Sequence, residues 1–220
     1  MMPLPATGSM WPARADMGVT VFEHILFILG LSFSMLLMVR ARTERYYQYA
    51  SQHDDLTGLY NRRALFERGS VLHAQAMNTG RPLAALMLDL DWFKSINDRY
   101  GHRMGDEVLT LFAKLLLEMA PEHGICARLG GEEFLMLVPD TTQKGARLLA
   151  DTIHDRLPET IASLPPECSV SIGISINLDT DTSLDCLIAR ADEALYAAKT
   201  AGRNCTRTWT LTSAEAQIAQ

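Results

Sequence analysis

Leu83-Ala84-Ala85-Leu86-Met87-Leu88-Asp89-Leu90-Asp91-Trp92-Phe93-Lys94 is the stretch on which the reading of this chain turns. Its first six residues are apolar without a break, the pattern of a central strand covered on both faces. Carboxylates arrive only where that run stops, and α/β sheets present their ligand groups beyond strand ends. Two readings of the segment stand side by side. Asp91 caps the following helix and Lys94 is merely solvated, or the acidic groups hold a ligand.

Outward from this strand, Phe134–Val138 is a second apolar run, and Ser169–Ile176 alternates, with Val170, Ile172, Ile174 and Ile176 on one side. Helical spacing recurs in Val108–Met119, Ala146–Leu157 and Leu184–Ala198. Helices interleaved with a few strands predict an α/β sandwich, with helices packed on a mixed sheet. No internal repeat and no long linker interrupts the chain after Asp54. With 48% hydrophobic residues in 220, there is enough apolar material for a packed core, which excludes a disordered protein. The net charge of −6 argues against a nucleic-acid polymer as partner, because phosphate backbones select clustered cations. Cys126, Cys168, Cys186 and Cys205 show no C-x-x-C spacing, so reduced thiols in a cytosolic domain are expected rather than structural zinc or disulfides.

Near the N-terminus, Ile25–Val39 holds twelve apolar residues in fifteen and has no polar face. Residues 19–39 as a helix would extend roughly 31 Å, close to the hydrocarbon thickness of a bilayer. Arg40, Arg42 and Arg45 come next, against Arg14 alone on the other side. The positive-inside rule then puts the C-terminal portion of the chain in the cytoplasm. A cleaved signal peptide fits less well, since arginines and not small residues come after the apolar run. A buried soluble helix is the remaining competitor. The expected organisation is a disordered lead over 1–18, a single transmembrane helix over 19–39 and a stalk helix or linker over 40–53. A catalytic domain over 54–208 and a tail over 209–220 complete it. That places the protein in the inner (cytoplasmic) membrane.

Four further features carry chemistry. In Arg128-Leu129-Gly130-Gly131-Glu132-Glu133-Phe134 the glycines make a tight hairpin, which has no need of two adjacent carboxylates. A divalent cation is the natural offset to their repulsion; a plain charged turn is the alternative. Asn97 and Asp106 flank a turn between two helices, where each could simply be a cap. Lys199 and Arg203 stand four apart at a helix end, where the helix dipole alone would favour them. His102 reads as a hydrogen-bonding residue of the turn.

Taken in order, Asp55-Leu56-Thr57-Gly58-Leu59-Tyr60-Asn61-Arg62-Arg63, D-L-D-W-F-K-S-I-N-D, G-H-R-M-G-D, R-L-G-G-E-E-F, S-I-G-I-S and A-D-E-A-L-Y-A-A-K-T-A-G-R-N span about 150 residues. This set strongly resembles the GGDEF family of bacterial diguanylate cyclases, in its G-G-E-E-F variant, over roughly Asp54 to Arg207. The resemblance implies a palm-like, nucleotide-cyclase-like α/β sandwich with helices around a central mixed sheet, here preceded by one N-terminal transmembrane helix. It implies condensation of two GTP into cyclic di-GMP with release of two pyrophosphates. Asp89, the Leu90 carbonyl and Glu132 would hold Mg²⁺, with Mn²⁺ as a substitute, and Glu133 would complete the signature turn. Glu132, Glu133 and Asp89 are thus the implied catalytic residues. Lys94, Lys199, Arg203 and the amides of Trp92 and Phe93 would meet the triphosphate, and the Gly130–Gly131 backbone would approach the nucleotide. Asn97 and Asp106 would read guanine. One GTP per domain implies a homodimer with C₂ symmetry.

One departure stands out. The place of the family's R-x-x-D product-inhibition motif reads Pro121-Glu122-His123-Gly124, so the usual inhibitory site is expected to be absent. A catalytically silent module that binds GTP or a partner protein is the competing function. Every signature position is kept, which favours the enzyme.

Overall fold

The computed structural model describes residues 14–162, 164 and 168–210. Most of the expected lead, residues 1–13, and of the tail, residues 211–220, lies outside the described residues. The chain divides between Tyr49 and Ala50 into two units. The first carries most of α1 (Arg14–Gln52), a single 39-residue helix. It begins inside the expected lead and runs through both the expected span and the stalk. Its Gly18–Arg40 portion is long and apolar enough to cross a membrane, with a mean hydropathy of 2.0. Phe22, Phe27, Leu31 and Leu36 are each more than 60% exposed.

The second unit is built on a six-stranded mixed sheet. In chain order it contains β1 (Tyr60–Asn61), α2 (Arg62–Thr79), β2 (Leu83–Leu90), α3 (Phe93–Tyr100), α4 (His102–Met119), β3 (Ile125–Gly130), β4 (Glu133–Pro139), α5 (Gln143–Thr160), β5 (Val170–Ile176), α6 (Leu184–Thr200) and β6 (Thr206–Thr208). The strands lie in the order β1-β3-β4-β2-β5-β6. β2 is antiparallel to both neighbours, whereas the edge strands β1 and β6 pair in parallel.

Both faces of β2 are covered, which explains its unbroken apolar run. Ala84, Leu86, Leu88 and Leu90 pack with Phe93, Phe112, Leu116 and Ile153 of α3, α4 and α5. Leu83, Ala85 and Met87 pack with Leu65 of α2 and with Leu187, Ala191 and Leu195 of α6. Asp89 continues the second row, so it emerges beneath α6. Asn61 caps α2 by accepting from the Ala64 amide at 3.0 Å. α2 itself carries only a diffuse apolar stripe, and nothing in the sequence singles it out.

The alternation in β5 has a different meaning from the usual one. Its small residues face no water: Ser171 and Ser175 are fully buried. α6 lies so close over this face that a Cβ on Gly173 would overlap the Ala191 carbonyl and the Leu195 amide. Ser175 Oγ donates to the Leu187 carbonyl at 2.6 Å, tying helix to strand directly. Just beyond β6, the Trp209 amide donates to the Ile174 carbonyl at 2.8 Å.

Because backbone rather than a flexible side chain blocks that space, Gly173→Ala should destabilise the domain by about 3 kcal/mol, the upper range of core overpacking. Urea denaturation measures it; an unchanged midpoint would mean that α6 does not sit this close to β5.

Candidate active site

The end of β2 meets the β3–β4 turn. Register sets Asp89 opposite Glu133, and the Leu90 amide donates to the Glu132 carbonyl at 3.3 Å. The turn is possible because Gly131 adopts φ 53°, in the left-handed region where a side chain is disfavoured. Across 110 positions of sequence, Lys199 Nζ donates to Asp89 Oδ2 at 2.7 Å from the last turn of α6. Burial pushes the Asp89 carboxyl upward; the hydrogen bond and charge of Lys199 oppose this, while Glu132 and Glu133 add to it. Lys199 thus pairs directly with Asp89, while Glu132 and Glu133 act on that carboxylate through their charge.

That donor set suits a hard divalent cation in a particular way. Among the described residues, no three His, Cys, Asp or Glu side chains gather closely enough to hold a metal by themselves. Asp89, the Leu90 carbonyl and Glu132 offer oxygen ligands but an incomplete shell. Mg²⁺ favours such sites, because it keeps several waters and takes its other ligands from substrate phosphates.

A second group lies at the start of α3. Trp92 has φ 58° and caps the helix without a side-chain bond. The Arg203 guanidinium stacks on its indole, 4.3 Å from the ring centroid. Arg203 and Asn204 are also left-handed, at φ 66° and 46°. Both turns are held by Asp91, which is 1% exposed. Its carboxylate accepts from Ser169 Oγ and Ser171 Oγ, each at 2.7 Å, and from the Asn204 amide at 3.0 Å. Asp91 is thus not the helix cap that the sequence suggested. It is the staple between two strained turns.

The third group is the α3–α4 junction. Gly101 serves as the C-cap of α3 and the N-cap of α4, so neither Asn97 nor Asp106 is a cap. Asn97 Oδ1 is buried with no hydrogen-bond partner. It packs on Gly105, where any Cβ would overlap it. Asp106, exposed on the next helix, lines a cleft of about 510 Å³ together with Leu56 and Leu111. A buried amide carbonyl without a partner is costly unless a ligand supplies the donor. His102 opens α4 and is exposed.

The family model described as "Diguanylate cyclase, GGDEF domain" matches residues 51–205. The chain belongs to this family. Diguanylate cyclase DgcM of Escherichia coli K12 is 39% identical over 163 residues, 74% of this chain and 40% of that protein. The response regulator PleD of Caulobacter vibrioides is 39% identical over 156 residues, 69% of this chain and 34% of its own length. This chain therefore spans well under two thirds of these curated relatives. Among solved structures, the coiled coil and GGDEF domain of DgcB from Caulobacter crescentus, in complex with c-di-GMP, superposes with a TM-score of 0.74. It is 27% identical, and the match covers 84% of this chain and 98% of that one. The active GGEEF domain of a diguanylate cyclase from Vibrio cholerae gives 0.65 at 34% identity, covering 69% and 98%.

Within this GGDEF domain, Asp89, Glu132, Glu133 and Lys199 come together at one end of the sheet, and Trp92 with Arg203 at the neighbouring turn. Lys94 stands exposed in the first turn of α3, without an ion pair among the described residues. Phe93 turns its ring into the core, leaving its backbone as what it can offer a ligand. Three features of the site went unseen in the sequence: the Asp91 staple, the apolar contribution of Leu56 and the clamp made by Arg128. Arg128 donates through Nε and Nη2 to the Gly131 carbonyl at 3.0 and 2.8 Å, and through Nη1 to Asp54 Oδ1 at 3.0 Å. Asp54 also accepts from the Thr57 amide and hydroxyl. An aspartate three residues before Thr-Gly and an arginine two before Gly-Gly were visible signals, but nothing in the sequence paired them.

Burial alone would raise the Asp54 carboxyl, yet hydrogen bonds from Thr57 and Arg128 outweigh it and hold the group below its ordinary value of 3.8. Because the folded pKa is lowered, this stabilisation is present above 3.8 and is lost as pH falls through the folded value. Arg128→Ala should cost about 2 kcal/mol at neutral pH. Urea midpoints taken down through the acid range should show the gap to wild type closing; a constant gap would contradict the assignment.

Proposed function

We propose that this chain is a diguanylate cyclase: two GTP molecules are joined into cyclic di-GMP, and two pyrophosphates leave. The observation that carries this is the meeting, at the end of β2, of Asp89, ion-paired with Lys199, and the turn that bears Glu132 and Glu133. In this reading Asp89, the Leu90 carbonyl and Glu132 hold Mg²⁺. The bound ion would polarise the α-phosphate and lower the pKa of an attacking hydroxyl. Lys199, Arg203, Lys94 and the amides of Trp92 and Phe93 neutralise and orient the triphosphate. The bare Gly130–Gly131 backbone lets the nucleotide lie against the turn, which Glu133 completes. In this reading Glu132 also assists deprotonation of the 3′-hydroxyl.

Guanine is read by Asn97 and Asp106. A carboxylate accepts from both N1–H and N2–H₂ of guanine, whereas adenine offers an acceptor at N1 and nothing at position 2. Leaving such a group unpaired costs factors of about 10⁴ in discrimination, so GTP is selected over ATP. Each domain takes one GTP, and the 3′-oxygen of each attacks the α-phosphorus of the other across a C₂ homodimer. Each new P–O bond forms as the bond to pyrophosphate breaks.

We also assign residues 19–39 as a single membrane span, with 40–53 as the stalk, 54–208 as the cytoplasmic catalytic domain and the remainder as lead and tail. The exposed apolar side chains of that helix call for lipid, and Arg40, Arg42 and Arg45 favour the cytoplasmic side. Two of its polar side chains bond back to the helix itself. Ser34 Oγ donates to the Gly30 carbonyl at 2.8 Å, and the His24 ring pairs with the Thr20 carbonyl at 2.6 Å.

Incubating residues 43–220 with GTP and Mg²⁺ should yield cyclic di-GMP, detected by mass. Glu132→Ala and Asp89→Ala should each lower turnover by at least about 10²-fold while the fold persists. GTP binding without product, even after forced dimerisation, would make the chain a silent nucleotide-binding module instead. The product should not inhibit its own synthesis at submicromolar concentration, because Pro121–Gly124 lacks both the Arg and the Asp of the inhibitory motif. Tight inhibition of the purified enzyme would overturn that expectation.

A further inference from the structure

The contact between Lys199 and Asp89 is made by unequal partners. Asp89 belongs to a central strand, paired on one side with Glu133 and on the other with Ser171. Its side chain is 9% exposed. Lys199 projects from the last turn of α6 on a four-carbon stem, and its side chain is 33% exposed. The carboxylate is therefore fixed by the sheet, whereas the ammonium can leave by rotating its stem.

We propose that Lys199 is the resident counter-cation of the nucleotide-free site, and that it competes with the divalent metal for Asp89. This rests on the reading of Asp89 as a metal ligand given above, and it adds an order to the loading of that site. An ammonium 2.7 Å from Oδ2 occupies the approach to that oxygen. A divalent cation bound to the same oxygen would lie beside a positive charge at a carboxylate only 9% exposed, where repulsion is screened less than in bulk water. The two cations exclude one another until something else accepts the ammonium.

A triphosphate does so. It gives Lys199 new oxygen acceptors and supplies the metal with the ligands that the protein lacks. Metal and nucleotide consequently promote one another's binding, because each removes the obstacle to the other. Such coupling is reciprocal by thermodynamic necessity, and typical values run from about 5-fold to 150-fold. Without nucleotide the metal binds weakly, since it must first displace Lys199. In the nucleotide-free protein Lys199 neutralises one charge of the Asp89–Glu132–Glu133 group, which otherwise repels itself.

The test uses the full chain in detergent micelles, with Mn²⁺ as the probe and free Mn²⁺ read by electron paramagnetic resonance. In the absence of nucleotide, Lys199→Met should bind Mn²⁺ about tenfold more tightly than wild type, within the usual range of coupling strengths. Lys199→Arg, which retains a cation, should remain near wild type. The promotion of Mn²⁺ binding by a non-hydrolysable GTP analogue should shrink in Lys199→Met, and the gain should vanish when Asp89→Asn is added. Lys199→Gln serves as the second neutral variant should the methionine protein not fold, as judged by thermal denaturation. Equal or weaker Mn²⁺ binding in the neutral variants, no detectable binding in any of them, or a gain that survives Asp89→Asn would each overturn the proposal. If wild type still makes cyclic di-GMP in those cases, the loading order alone has failed. Absence of product from wild type would instead count against the cyclase reading.

Discussion

A carboxylate at the end of a central strand, almost wholly removed from water, is costly to leave without a cation within reach. Asp89 is in that position, and its neighbours Glu132 and Glu133 make the demand stronger. Burying an unpaired charge is among the most costly things a fold can do. The end of β2 therefore depends on Lys199 in the nucleotide-free protein, and in the proposed reaction on a metal held in the same place. Much of the architecture nearby can be understood as the means of bringing that ammonium there.

α6 is the carrier. Its closeness to β5 comes from the small residues Ser171, Gly173 and Ser175, which leave room for helix backbone to lie almost on the sheet. Larger side chains at those positions would push the helix outward and carry Lys199 away from Asp89. An alternation that looks like an ordinary half-exposed strand is in fact a packing device, and the position of Lys199, one turn beyond Leu195, depends on it.

A second buried carboxylate has a structural task. Asp91 accepts hydrogen bonds from two hydroxyls and one amide, and so binds the left-handed turn at Trp92 to the left-handed turn at Arg203 and Asn204. Left-handed conformations in non-glycine residues persist only where their surroundings over-determine them. Here the staple and the stack of Arg203 on Trp92 both contribute. On the opposite flank, Arg128 holds the Gly131 carbonyl and Asp54 together, so the signature turn is braced against the start of the domain. The turns proposed to touch substrate are thus pre-set before it arrives, which lowers the entropy lost on binding.

By itself the sequence determined the family, the central strand, the main helices and the identity of the acidic and basic residues at the site. Apolar runs, helical spacing and ordered motifs are local, and they survive reading in one dimension. What local pattern alone could not distinguish was Asp89 from Asp91, two carboxylates separated by a single leucine; only the family resemblance singled out Asp89. One faces Lys199, 110 positions away, and the other faces Ser169, Ser171 and Asn204. Likewise, α2 and the two short edge strands had no pattern strong enough to declare them, because their burial is supplied by neighbours distant in sequence. Only the tertiary structure decided these roles, since the partner of a buried charge is chosen by which elements pack together and not by what stands next to it in the chain.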